Sequence, residues 1–223
     1  MALGTFTVPM TVFGLTRSTS INGALGLRSG LIGQAEFESA IRSATNSKTT
    51  LILHPSSIVN ITKNCLVTCS ITGAGSQINV ANEADLIFSG KESLYQKVRG
   101  LRINGRVSFE HKGNLEIVKN DFSLSPNYSL KINSESMVIF KKNIIKSENA
   151  HALTIINNKK GLFENNEILV KGSGQFVWAE DSFEMKIHNN SFRSLSKGFH
   201  PSIAISNKDD VNPSLSLHAN KLI

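Results

Sequence analysis

The sequence predicts an all-β fold, a right-handed parallel β-helix built from coils of about 23 residues. The first observation behind this prediction is a motif, apolar-x-apolar-x-x-Asn-x-apolar, that recurs through the second half of the chain. Its asparagines follow one another at steps of 23, 23, 24 and 30 residues, at Asn120, Asn143, Asn166, Asn190 and Asn220. The second observation is an alternating apolar pair that begins about ten residues after each of the first three asparagines.

Each motif predicts a strand, a turn and the start of the next strand, with one asparagine in every turn. Side-chain amides carry both donors and an acceptor, so asparagines stacked coil on coil can hydrogen-bond along the stack. The alternating pair predicts a further strand in each coil, reading Leu130/Ile132, Leu153/Ile155, Phe176/Trp178 and Ile203/Ile205. Leucine-rich repeats also use an asparagine ladder, but their leucine spacing and repeat length are missing here.

Residues 1–33 are predicted to form an extended N-terminal arm. Apolar residues alternate there with threonine and proline, and the apolar positions are Phe6, Val8, Met10 and Val12. This period of two is the pattern of a half-buried strand. Pro9 cannot donate to a ladder, so this strand is expected at a sheet edge. The arm has two interpretations: it docks on its own domain, or it reaches a neighbouring subunit.

Residues 34–47 are predicted to form a helix, because Phe37, Ala40, Ile41 and Ala44 follow the i, i+3, i+4, i+7 spacing of one helical face. The β-helix domain is expected to span 34–223 with this helix at its start. Its coils before residue 113 show short apolar alternation, but the sequence does not determine their register.

A helix followed by short β runs resembles the opening of pectate-lyase-like β-helix proteins, in which an amphipathic helix plugs the N-terminal end of the coil stack. The resemblance implies that Phe37 and Ile41 supply the apolar face of this plug. The architecture also resembles that of phage tail-spike, fibre and capsid-decoration proteins with this fold, in style and without a specific shared motif.

The net charge of +7 is spread along the chain and favours a solvated basic surface, with a nucleic-acid or anionic-polymer surface as the alternative. No basic motif interleaved with aromatics supports binding of RNA or single strands. Cys65 and Cys69, four residues apart on one strand, would lie roughly 13 Å from each other, too far for a disulfide, and are predicted to be buried free thiols. No signal peptide and no apolar run long enough for a membrane span are recognised.

The repeat also predicts which side chains point outward. On the first strand these are Glu116, Ile139, Leu162, Lys186 and Ser216, and on the second Lys131, Thr154, Val177 and Ala204. Ile139 and Leu162 are expected to be neighbours about 4.8 Å apart, with Ile144 also outward. Such an apolar strip indicates a contact surface, or a surface covered by a loop or the arm. Leu222 lies on the last coil, which is expected to be covered by the arm, a symmetry mate or another protein, unless the chain is truncated.

Catalysis by a glycan-cleaving β-helix needs paired carboxylates or a calcium site of clustered acids. The best acidic cluster is Glu180, Asp181 and Glu184, but none of these acids recurs at the matching position of an adjacent coil. The hydrolase signatures of the fold are also missing. His188 and His218 occupy equivalent positions and are expected near each other, which alone is a weak metal signal.

These observations favour a non-catalytic structural or assembly protein, a virion component assembled in the host cytoplasm. It is expected to be a homo-oligomer, preferably a trimer, that contacts other virion proteins and binds neither membrane nor nucleic acid. No metal or other cofactor is expected. The alternative is a polysaccharide lyase or glycan-binding β-helix protein, which would use Ca²⁺ and the acids Glu180, Asp181 and Glu184.

Overall fold

The structure, a computed structural model, describes residues 10–12, 15–20, 24–27, 29–92, 94–148, 151–171, 175–195, 203–206 and 214–223. Its first elements are four short strands and a helix: β1 Met10–Val12, β2 Leu15–Ser20, β3 Ala24–Leu27, β4 Gly30–Ile32 and α1 Gln34–Asn46.

The strands of the coil stack then follow one another with short connections. Those up to residue 134 are β5 Thr50–Leu53, β6 Ser57–Ile61, β7 Cys65–Val67, β8 Ile71–Val80, β9 Leu86–Gly90, β10 Gln96–Gly105, β11 Val107–His111, β12 Leu115–Val118, β13 Asp121–Leu124 and β14 Leu130–Ser134. The later strands are β15 Met137–Lys141, β16 Ile144–Ser147, β17 His151–Ile156, β18 Lys160–Glu164, β19 Glu167–Val170, β20 Gln175–Glu180, β21 Glu184–His188, β22 Ser191–Ser194, β23 Ile203–Ser206, β24 Ser214–His218 and β25 Lys221–Leu222.

These strands stack in parallel register on three faces, which confirms the predicted parallel β-helix. We number the three-sided coils by their strands: coil 1 is β5–β7, coil 2 β8 and β9, coil 3 β10 and β11, coil 4 β12–β14, coil 5 β15–β17, coil 6 β18–β20 and coil 7 β21–β23. Face A holds the first strand of each coil, face B the second and face C the third. In coils 2 and 3 one long strand supplies both face A and face B.

The corner between faces A and B, which we call the Asn corner, holds the predicted ladder. The backbone N–H of Asn120 donates to Oδ1 of Asn143 at 2.9 Å, and the same bond joins Asn143 to Asn166 at 2.9 Å. Nδ2 of Asn143 donates to the carbonyl of Ile117 at 2.9 Å. The pattern continues through Asn190 to Asn220. Every ladder asparagine therefore satisfies backbone groups that the corner would otherwise leave unpaired.

The residue before each ladder asparagine has left-handed backbone geometry, with φ from 52 to 58° at Lys119, Lys142, Asn165, Asn189 and Ala219. Lysine and alanine adopt this geometry at a cost of about 1 kcal/mol or more, so the ladder bonds must stabilise the corner beyond that cost. In coil 3 Gly100 takes the same place with φ 70°, and Leu101 takes the place of the asparagine.

The interior is filled by rows of apolar side chains, one residue from each coil. The largest form a continuous run of rings in which neighbouring centroids are 4.9–6.3 Å apart, from Phe88 through Phe109, Phe122 and Phe140 to Phe163. Because each ring packs on the next coil as well as its own, the core ties neighbouring coils together.

Helix α1 forms one residue shorter than the predicted 34–47 and buries Phe37, Ala40, Ile41 and Ala44, as the spacing predicted. It packs against β3, β5, β6 and β7 and covers β7, the first strand of face C. Faces A and B instead begin with β3 and β4, which pair with β5 and β6. Strands β3 and β4, which lie within the predicted arm, thus belong to the stack.

Cys65 and Cys69 are free and buried, as predicted. Burial raises the pKa of Cys65 to about 12 and that of Cys69 to about 11. Both thiols therefore remain protonated at neutral pH and pack as small apolar groups. Within the described residues no helix has the length and apolar character needed to cross a membrane.

Candidate functional site

The outer surface consists of rows in which side chains at one position of successive coils lie side by side. On face A one row runs through the predicted outward residues, pairing Glu116 with Ile139, Ile139 with Leu162, and Leu162 with Lys186. The predicted neighbours Ile139 and Leu162 are therefore in register. We call Ile139 and Leu162 the outer apolar pair.

The outer apolar pair is half-buried, and charged side chains lie on both sides of it along the row. Glu116 on one side is bridged to Lys97 at 3.1 Å, and Lys186 is exposed on the other. Ile144 also points outward but lies on face B, between Asp121 and Glu167 in its row. The predicted apolar strip is therefore short and divided between two faces.

The prediction that Val177 points outward is wrong. Leu153 pairs with Val177 and Thr154 with Trp178, so Val177 faces the core and is 2% exposed, whereas Trp178 takes the outward place. A shift of one residue in register exchanges the two faces of a strand. Leu153 comes ten residues after Asn143, but its row neighbour Val177 comes eleven residues after Asn166. The alternating pattern had assumed the same distance in both coils. Phe176 and Val177 are both buried.

The predicted arm residues are only partly placed. Phe6 and Val8 lie outside the described residues, and Met10 and Val12 lie in β1. Strand β1 pairs antiparallel with β2, and β2 pairs antiparallel with β3, the first strand of face A. The described part of the arm thus connects to its own β-helix through backbone pairing.

Leu222 lies on β25 and pairs with Phe192, but it is 60% exposed because the described chain has no coil over it. Leu217 on β24 is also exposed, at 51%. Both occupy positions that face the core in earlier coils.

Seven carboxylates on the outer surface are paired with cations of neighbouring coils. Seven such ion pairs have N–O distances of 2.8–3.3 Å: Lys97–Glu116, Arg106–Asp85, Lys131–Glu110, Lys141–Glu164, Lys146–Asp121, Lys160–Glu184 and Lys171–Glu148. The hydrogen bond from Lys141 lowers the pKa of Glu164. These acids act as charge partners between coils.

The acidic cluster predicted for a lyase lies where β20 leads into β21. Glu184 forms an ion pair with Lys160 at 3.3 Å, and the row neighbours of Glu180 are Ile156 and Ser206. No second acid stands beside these residues in the adjacent described coils. Among the described residues, no group of three or more His, Cys, Asp or Glu side chains is arranged to hold a metal ion.

His188 and His218 are neighbours on face A, as their equivalent positions predicted. Their ring centroids are 6.0 Å apart, and the two residues pair in register. Lys141, Glu164, His188 and His218 therefore follow one another in a single row of face A.

A groove of about 1340 Å³ lies at the corner where face C leads into face A of the next coil. Its rim carries both signs of charge, including Lys91, Glu92 and Glu135, together with the exposed Tyr95. The Tyr95 hydroxyl donates a hydrogen bond to Glu116. Burial, together with this bond and the charge of Glu116, raises the pKa of Tyr95 to about 12.

Two polar side chains point into the core beside this groove. Gln96 donates to the carbonyls of Val67 and Cys69 at 3.0 and 2.9 Å, but its Oε1 has no hydrogen-bond partner in the described residues. His111 is 2% exposed and bonds through Nδ1 to the carbonyl of Gly113 at 2.8 Å, while its Nε2 is likewise unpartnered. Burial lowers the pKa of His111 despite the bond to Gly113.

We expect the protein to lose stability as the pH falls below about 6.5, by at most about 1.4 kcal/mol per pH unit from His111. The pKa of His111 is depressed only in the folded state, so below the unfolded value the unfolded chain binds more protons. Urea unfolding at pH 8 and pH 5.5 measures this loss. His111→Gln should make stability less dependent on pH, and His218→Asn, at an exposed position, should not. Equal pH dependence in His111→Gln and the unaltered protein would refute the assignment.

A second groove, of about 700 Å³, lies outside the Asn corner and spans coils 1 to 5. We call it the basic groove, since it is lined by Arg99, Arg102, Lys119 and Lys142. Sequence reasoning missed it because its arginines belong to coil 3, whose register the irregular repeat did not reveal. The 23-residue step between Lys119 and Lys142, each of which directly precedes a ladder asparagine, could have suggested that the two lysines lie side by side.

No protein-family model matches the chain, and neither a curated protein nor a solved structure shows significant similarity to it.

Proposed function

We propose that this chain is a non-catalytic structural protein that uses its β-helix as a rigid docking module in a larger assembly, as a virion component of the tail-spike, fibre or capsid-decoration type. The observation that carries the proposal is the contrast between the charged and the apolar side chains of the outer rows. Seven carboxylates of the outer surface are paired with cations of neighbouring coils, whereas the outer apolar pair is flanked in its row by Glu116 and Lys186 and has no apolar neighbour outside the pair there.

Rigidity of the module supports this proposal. The asparagine ladder and the run of phenylalanine rings both connect each coil to the next, so outer side chains keep fixed spacings along the stack. A docking surface benefits from such order, because little conformational entropy is lost when a partner binds.

Exposed apolar residues on the first coils give further support. Leu31 is 62% exposed and pairs in register with Ile58, which is 39% exposed, on face B. Leu66 on face C is 53% exposed. Neighbouring exposed apolar residues favour contact with a partner, and a second copy of the chain around a common axis, in a trimer, is the partner we propose.

The oligomeric state tests this proposal directly. We expect sedimentation velocity to show a trimer of the 24.3 kDa chain, and the double variant Ile139→Asp/Leu162→Asp to dissociate to monomers while keeping its β-sheet circular dichroism. Charges on the outer apolar pair would have to be buried without partners in the assembly. Ser123→Asp/Thr154→Asp, on outward half-buried positions of faces B and C, is the matched control and should remain trimeric. A monomeric unaltered protein at high micromolar concentration would overturn the trimer.

The second candidate function is a glycan-binding protein or a polysaccharide lyase with Ca²⁺, and the large groove beside Tyr95 favours its glycan-binding form. Its tyrosine ring and mixed charges are suited to a polar polymer, and depolymerisation would be seen as the ultraviolet absorbance of unsaturated products. Ca²⁺-dependent cleavage of an acidic polysaccharide would replace the docking proposal.

A further inference from the structure

The basic groove has a floor of main chain. Coil 2 turns the Asn corner through Gly73, Ala74 and Gly75, and coil 3 turns it through Gly100. A side chain built on Gly100 would come within 1.9 Å of the Gly73 carbonyl, so these two turns pack backbone on backbone. Space is open beside Gly75, where an added side chain would meet nothing within 4 Å. Ile52, Pro55 and Ile144 give the groove apolar walls.

Its four cations lie on three successive coils. Arg99 and Arg102 flank the Gly100 turn of coil 3, and Lys119 and Lys142 occupy the equivalent turn positions of coils 4 and 5. The Lys119 backbone N–H bonds to the carbonyl of Lys141 at 3.0 Å, which keeps the two lysine turns in register. Coils stack about 4.8 Å apart, so the positive charges are distributed over roughly 10 Å along the stack.

The charge balance of the groove favours an anionic ligand. All four side chains are exposed, and none of them forms an ion pair with a carboxylate in the described part of the chain. The acid in the groove lining, Asp121, is already held by Lys146, whose Nζ lies 3.0 and 2.9 Å from its two carboxylate oxygens. Arg99 and Lys142 also act at longer range on Glu116 and Glu164, whose carboxyl pKa values are lowered mainly by Tyr95 and Lys97 and by Lys141. The groove therefore keeps an excess of positive charge.

We propose that the basic groove is a binding site for a ligand with at least two oxyanion groups, phosphate or sulfate, spaced along the stack. Arg99 and Arg102 have the planar forks that bind an oxyanion through two parallel hydrogen bonds, and Lys119 and Lys142 supply compact charges for the next group. The apolar walls contact the framework that joins the oxyanions. A ligand with a single oxyanion would engage only one part of this array.

Calorimetric titration at about 0.1 M salt, where the Debye length is about 10 Å, tests the site with four probes: inorganic phosphate, tripolyphosphate, a heparin-derived oligosaccharide and a single-stranded oligonucleotide. We expect tripolyphosphate to bind at least about tenfold more tightly than phosphate, because it reaches several cations, and its affinity to fall with added salt. Arg99→Gln/Arg102→Gln should weaken tripolyphosphate binding about tenfold or more, with circular dichroism unchanged since both side chains are exposed.

Lys186→Gln/Arg193→Gln is the matched control. It removes the same charge from exposed outward positions of coil 7 and should change the affinity less than about twofold, because charges beyond a Debye length are screened. If the heparin fragment binds more tightly than tripolyphosphate and depends on the same arginines, the oxyanions come from a sulfated polymer; the reverse order indicates a phosphorylated small molecule. Equal weakening in both double variants, absence of binding to all probes, or oligonucleotide binding that is the tightest of the four and unchanged in Arg99→Gln/Arg102→Gln would each overturn the proposal.

Discussion

Replacement of Asn143 by alanine is expected to lower the free energy of unfolding by about 4 kcal/mol, since it leaves several buried polar groups without partners. Asn143 is 1% exposed. Its Oδ1 accepts from both the backbone N–H and the Nδ2 of Asn120, and its Nδ2 donates to the Ile117 carbonyl. Urea denaturation followed by circular dichroism measures the loss as a shift in midpoint.

The same substitution at Asn60 is the control. Asn60 is exposed on face B and accepts one bond, from Asn79 at 3.1 Å, so Asn60→Ala should cost less than about 1 kcal/mol. Asn143→Asp keeps the acceptor but removes the donor to Ile117 and buries a charge, so at neutral pH it should destabilise at least as much as alanine. Equal effects of Asn60→Ala and Asn143→Ala would show that the ladder does not hold the coils together.

Replacement of Phe140 by alanine is expected to cost about 3–5 kcal/mol, because it removes a large ring from a core that cannot collapse around the space. Phe140 is fully buried between Phe122 and Phe163, at centroid distances of 6.3 and 5.8 Å. Its neighbours are held by strands of two other coils, which limits their movement into the cavity. Thermal and urea unfolding would both report the loss.

Phe183→Ala makes the identical change at a ring that is 36% exposed, and it should cost much less. Phe140→Leu should recover part of the loss, since it restores much of the volume. A small effect of Phe140→Ala, with unchanged unfolding midpoint, would mean that the run of rings contributes little to stability.

The asparagine ladder and the face A row after residue 113 followed from the sequence because the repeat is nearly regular there. A step of 23 residues places Asn120, Asn143 and Asn166 at one corner, and the same step aligns Ile139 with Leu162. Helix α1 was equally recognisable, since its buried residues follow the helical period. In each case a local pattern in the chain matches the geometry of the element.

Val177 and the basic groove show where such patterns are insufficient. The alternating pair Phe176/Trp178 fitted a strand in either register, and packing against Leu153 and Ile155 selected the one that buries Val177. Arg99 and Arg102 come together with Lys119 and Lys142 only because β10 crosses the Asn corner through Gly100, a turn that does not match the asparagine motif.

By itself the sequence determined the fold, the ladder and the residues that fill most of the core. Each repeat has the same pattern of apolar and turn residues, and this pattern specifies the same local geometry in every coil. Only the tertiary structure decided the register of the irregular first coils, the burial of Val177 and the grouping of the four cations of the basic groove. Register depends on how each coil packs on its neighbours, and a one-residue difference invisible in a short apolar run exchanges core and surface.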